Sequence, residues 1–149
     1  MDRAKSEMRP VNPGVERYFQ NEIWLELEQK LIELKKVLDE AGIHPESWFL
    51  HGSFVTNKAK MSSDIDIGVT IKDPAQHHNF VNLPVWGPST SYGSVRTHRI
   101  ELTAYDSLKS AQTWSSLRML DYDERENHFI LGEKSDKLTN LSEGQTVTK

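Results

Sequence analysis

Asp64 and Asp66 stand two residues apart in the apolar run Ser63-Asp64-Ile65-Asp66-Ile67-Gly68-Val69. Side chains on a strand alternate faces, so the two carboxylates share one face while Ile65 and Ile67 take the other. Their Cα atoms then lie about 6.5–7 Å apart. Two carboxylates so placed can converge on one hard cation or on two. Mg²⁺ prefers such oxygen ligands and completes its shell with water and substrate phosphate. Two ions about 3.5–4 Å apart stabilise both the entering and the leaving oxygen of an in-line phosphoryl displacement. The plain alternative is a solvated outer strand face. Asp is depleted in strands, however, and like charges on one face repel, so the pair calls for a cation.

Eleven positions before Asp64, the run Phe49-Leu50-His51-Gly52-Ser53 ends in a small-residue turn. Gly52 has no Cβ and lets backbone approach a ligand closely. Amides at the start of the segment after Ser53 would face phosphate oxygens as helix N-termini do. The Ser53 hydroxyl adds a donor.

Several elements must position these groups. Phe19, Ile23, Leu27, Leu31, Leu34 and Leu38 recur at spacings of four and three, which predicts a helix from about Val15 to Ala41 with a left-handed cap at Gly42. Trp48 to His51 reads as a short buried strand that delivers Gly52-Ser53, residues 54–60 as a short helix or turn, and Asp64 to Ile71 as the second strand. Residues 73–94, with their prolines and glycines, read as a long irregular connection that walls a substrate pocket. Val95 to Ala104 is the third strand, residues 107–121 a second helix, and Asn127 to Leu131 a last strand ended by Gly132. Residues 1–14 read as a loose arm, 15–132 as one domain and 133–149 as a polar tail.

The pairing of Gly-Ser with Asp-x-Asp at this separation resembles the signature of the DNA polymerase β-type nucleotidyltransferase superfamily. The resemblance implies an α/β (α+β) fold, a small mixed β-sheet flanked by helices on one side. It implies a Mg²⁺-dependent (or Mn²⁺-dependent) transfer of a nucleoside monophosphate from an NTP to an acceptor hydroxyl, with release of pyrophosphate. Asp64 and Asp66 would hold the metal, and Gly52 and Ser53 the triphosphate. A third carboxylate is expected on a neighbouring strand. Glu101, in the middle of Arg99-Ile100-Glu101-Leu102-Thr103, fits it as metal ligand and proton acceptor, although Asp is commoner there in the family; its alternative is an ion pair with Arg99 or Arg96. Asp106 is the other candidate, but its place at the strand end suits a helix N-cap. Many small bacterial members carry Arg-Gly between the two motifs. This chain has Thr56-Asn57-Lys58-Ala59-Lys60 instead, so phosphate contact passes to Lys58 or Lys60.

Two other readings stay open. A minimal nucleotidyltransferase can act as an antitoxin, or as the partner-dependent half of a two-component system. It can also serve as a catalytically silent nucleotide-binding module, should no carboxylate complete the site. At 149 residues the chain leaves no space for the helical acceptor domain of larger members, which favours a protein partner or a homo-oligomer. The acceptor itself, whether nucleic-acid end, protein or small molecule, has no marker.

The net charge of −4 lacks the basic footprint of a duplex-tracking protein. Lys58, Lys60, Arg96, His98 and Arg99 suffice for a triphosphate or a short nucleic-acid end. With no cysteine, disulfides, thiolate zinc sites and cysteine nucleophiles are excluded. No stretch is apolar enough to span a bilayer and the start lacks a signal core, so a cytoplasmic protein without membrane contact is expected. His77 and His78 read as surface loop, and His51 as a phosphate contact or a packing residue. His44, His98 and His128 have no metal spacing. The tryptophans read as core, except that Trp86, with Tyr92, can stack a nucleobase from the irregular connection.

Overall fold

The computed structural model describes residues 13–86 and 90–138. The expected arm falls outside this range apart from Pro13 and Gly14, and the expected tail falls outside it from residue 139. The elements run α1 (Pro13–Tyr18), a π-helical turn (Phe19–Ile23), α2 (Trp24–Glu40), β1 (Ser47–His51), β2 (Ile65–Thr70), α3 (Pro74–Val81), β3 (Ser91–Val95), β4 (His98–Tyr105), α4 (Leu108–Gln112), β5 (Leu117–Asp123) and β6 (His128–Ser135). The strands form one mixed six-stranded sheet in the order β3-β4-β2-β1-β5-β6. Only β2 and β4 run parallel; the other neighbours are antiparallel. The fold is the α+β arrangement that the sequence implies.

The helical stripe is buried as its periodicity requires. Phe19, Ile23, Leu27, Leu31, Leu34 and Leu38 pack into one core with Trp48, Leu50, Ile65, Ile67, Ile100 and Leu102 from the facing side of β1, β2 and β4. Gly42, at φ +78°, follows the helix in the left-handed region. Glu28, on α2, is almost buried, and its Oε2 accepts the Phe129 amide of β6 at 3.0 Å. This ties the edge strand to the helix. Glu28→Ala leaves that amide unpaired and should cost about 1–3 kcal/mol. Glu28→Gln keeps an acceptor and should recover most of the loss, as urea denaturation of the three proteins would show.

The second half departs from the expected elements. Residues 73–94 are not irregular throughout. Asp73 caps α3 by accepting the Ala75 amide, with Pro74 in its first turn. β3 was hidden by its polar composition, because it is an edge strand with one paired side. Trp86 packs between Phe80 and Tyr92 and donates its indole N–H to the Phe80 carbonyl.

The expected third strand is a hairpin. Val95 ends β3, Arg96 turns the chain at φ +56°, and β4 begins at His98. The expected helix over 107–121 is the short α4 followed by β5. Leu117 and Leu120 lie three apart and both are buried because β5 is covered on both faces, which imitates a helical stripe. The last strand continues past Gly132 to Ser135, held by the pairs Leu117 with Ser135 and Arg118 with Lys134. Helices are not confined to one side either. Leu108 and Ala111 of α4 pack with Phe49, Leu117 and Met119 on the face opposite the main core. Among the described residues no helix is long and apolar enough to cross a membrane.

Candidate active site

The face of β2 opposite the main core carries Asp66, and strand register fixes its neighbours. His51 on β1 pairs with Asp66, and Glu101 on the parallel strand β4 pairs with Asp66 on the other side. Three strands therefore present His51, Asp66 and Glu101 in one row. Asp64 stands just before β2, two residues from Asp66 and on the same face. The structure thus brings together the predicted carboxylates Asp64, Asp66 and Glu101. Asp106 does not join them. It is exposed after β4, and even the cap of α4 is Ser107, whose hydroxyl accepts the Ser110 amide.

The electrostatics reflect this crowding. The Asp66 carboxyl is pushed up to about 6, first by burial and then by the charges of Glu101 and Asp64. Arg99 answers the other two. Its Nη2 lies 2.6 Å from Glu101 Oε2 and 3.5 Å from Asp64 Oδ2. Burial holds the His51 ring down to about 4, so it is neutral at neutral pH. Among the described residues its buried Nε2 has no hydrogen-bond partner, and its ring stands edge-on to Tyr105 at 5.9 Å.

Gly52 ends β1 with φ +84° and packs on the row, so that a Cβ there would overlap Asp66 Oδ2. Its amide donates to Ser115 Oγ at 3.3 Å, which anchors the turn to the connection between α4 and β5. Residues 53–57 form turns rather than a helix, with the Val55 and Thr56 amides bonded back to the Gly52 carbonyl. Among the described residues neither the Ser53 nor the Phe54 amide donates to a protein acceptor. These two amides and the Ser53 hydroxyl are the donors that the turn leaves for an anion.

Lys58 and Lys60 are exposed and make no ion pair with the carboxylates. Lys60 borders a cavity of about 260 Å³ lined by Val15, Tyr18, Phe54 and Met61. Of the other cations near the motif, Arg96 pairs with Glu22 and Glu26. His98 is fully buried between the Tyr18 hydroxyl and the Ser63 carbonyl, a contact that steadies the residue before Asp64. A roomier cavity of about 830 Å³ opens at the other end of the sheet, between Ser47, Trp48 and Asp121–Asp123. None of the predicted site residues lines it.

The row fits a hard divalent cation in donor type. Three carboxylates share a face, Asp66 carries the like charges of Glu101 and Asp64, and its register neighbour on β1 is His51. The Asp64 and Glu101 carboxylates are drawn to Arg99, and among the described residues no three acidic or histidine side chains converge at metal-holding distance.

The parts of the site that sequence reasoning missed are Ser115 and the bridging role of Arg99. Arg99 was visible as an ion-pair partner of Glu101 alone. Nothing in the sequence placed Ser115 beside Gly52, 63 residues away.

Residues 30–85 match the family model described as Polymerase beta, Nucleotidyltransferase. The matched segment holds Gly52, Ser53, Lys58, Lys60, Asp64 and Asp66, and ends before Glu101. Comparison with curated proteins and with solved structures gives no match. The match over residues 30–85 supports a polymerase β-type nucleotidyltransferase family, and the mixed sheet that joins the two motifs is consistent with it.

Proposed function

We propose that the protein transfers a nucleoside monophosphate from an NTP to an acceptor hydroxyl. The observation that carries this reading is the register of Asp66 with Glu101, beside Asp64 and under the Gly52 turn. Asp64, Asp66 and Glu101 would hold Mg²⁺ or Mn²⁺. When bound, the cation lowers the pKa of the attacking hydroxyl and neutralises developing phosphate charge. Gly52 and Ser53 bind the triphosphate, through the free amides of Ser53 and Phe54 and the Ser53 hydroxyl. Lys58 and Lys60 supply counter-charge from the rim.

In the transfer, the acceptor oxygen bonds to the α-phosphorus as the bond from that phosphorus to the bridging oxygen breaks. Pyrophosphate leaves with the electron pair, and Glu101 accepts the hydroxyl proton. The neutral His51 ring, next to Asp66, offers a hydrogen bond without adding charge.

The test is pyrophosphate release from each of the four NTPs with Mg²⁺ or Mn²⁺, across nucleic-acid, protein and small-molecule acceptors. Turnover in the wild type and its loss in Asp64→Asn is the expected result. Undiminished turnover in both Asp64→Asn and Asp66→Asn would place the chemistry elsewhere.

A further inference from the structure

We propose that Arg99 is a displaceable internal counter-ion, which holds Asp64 and Glu101 in the metal-free protein and must release both when a divalent cation binds. The idea rests on the reading of the carboxylate row as a metal site. Arg99 and Glu101 are two apart on β4 and therefore share the site face. A single guanidinium nitrogen, Nη2, reaches both carboxylates, one from each of two neighbouring segments. Those are the same oxygens that a cation bound between Asp64 and Glu101 would need. A guanidinium and a divalent ion cannot both sit against them, because like charges at that range repel strongly.

Arg99 also has the means to leave. Its side chain is 49 % exposed, so its charge can be resolvated when it swings out. By contrast Arg96, three residues earlier, is committed to Glu22 and Glu26 and is remote from this exchange. Once released, Arg99 is an unpaired guanidinium beside the metal, and its planar fork matches phosphate oxygens. Metal loading and nucleotide binding are thereby coupled: the nucleotide gives the displaced arginine a new partner.

Mn²⁺ binding to the full chain without nucleotide, followed by electron paramagnetic resonance, separates the possibilities. Removing Arg99 takes away the ion pairs that compete with the cation for Asp64 and Glu101. Arg99→Gln should therefore bind Mn²⁺ about five- to tenfold more tightly than wild type. Arg99→Lys keeps a cation and should stay near wild type. The metal-free melting temperature should fall in Arg99→Gln and be restored by Mn²⁺. Equal or weaker Mn²⁺ binding by Arg99→Gln, with the wild type binding normally, overturns the counter-ion role and leaves Arg99 as a structural residue. Absence of Mn²⁺ binding from the wild type and Arg99→Gln alike would instead overturn the metal reading itself, and the inference with it.

Discussion

Asp66→Asn should abolish transfer while making the metal-free protein more stable at neutral pH. Loss of a carboxylate that organises charge in the transition state costs on the order of 10³-fold in turnover. The stability effect runs the other way because the native fold opposes ionisation of this group. Burial, Glu101 and Asp64 raise its pKa to about 6 from an ordinary 3.8. Between those values the folded protein holds a proton that the unfolded chain has lost. Stability therefore declines as pH rises from about 4 to about 6, and the whole penalty remains above that window. The full gap would correspond to about 3 kcal/mol. Solvent reaches part of this carboxylate, so screening leaves about 1–2 kcal/mol. Urea denaturation with a chelator at pH 4, 6 and 8 should show a decline for wild type and a flatter profile for Asp66→Asn. Parallel profiles would mean that the charge crowding at Asp66 is relieved in solution. A site that is destabilising when empty is a common cost of function.

Gly52→Ala carries the second large effect, and it comes from two separable causes. At φ +84° any side chain is strained, at about 1–2 kcal/mol. The added Cβ also overlaps Asp66 Oδ2 and must push that carboxylate out of the row. Misplacing a catalytic group by about 1 Å can cost 10²-fold. Gly42 supplies the control. It has φ +78° with no atom within 4 Å of where a Cβ would sit. Gly42→Ala should lose about 1 kcal/mol of stability with turnover unchanged, whereas Gly52→Ala should lose about twice that and at least 10²-fold in turnover. Equal turnover in the two variants would show that the close approach of Gly52 to Asp66 does not matter to the chemistry.

The helix stripe from Phe19 to Leu38 and the burial of Trp48, Leu50, Ile65 and Ile67 were legible because side-chain period is a local property. A repeat near 3.6 or of 2 shows which residues turn inward without reference to any partner. The same rule set Asp64 and Asp66 on one face. It failed from residue 73 onward, where burial on both faces of β5 imitated a helix and the polar edge strand β3 looked like loop.

The site divides along the same line. Reading along the chain by itself determined the two aspartates, the Gly-Ser turn before them and the family resemblance that both carry. Each depends on residues close in sequence, whose geometry follows from a strand or a turn alone. Only the tertiary structure decided that Glu101 stands beside Asp66, that Arg99 spans Asp64 and Glu101, and that Ser115 holds the Gly52 amide. Those contacts arise from the parallel register of β2 with β4 and from the packing of α4 on the opposite face. Register between distant strands is selected by how whole faces bury together, and that choice leaves no periodic mark on either segment.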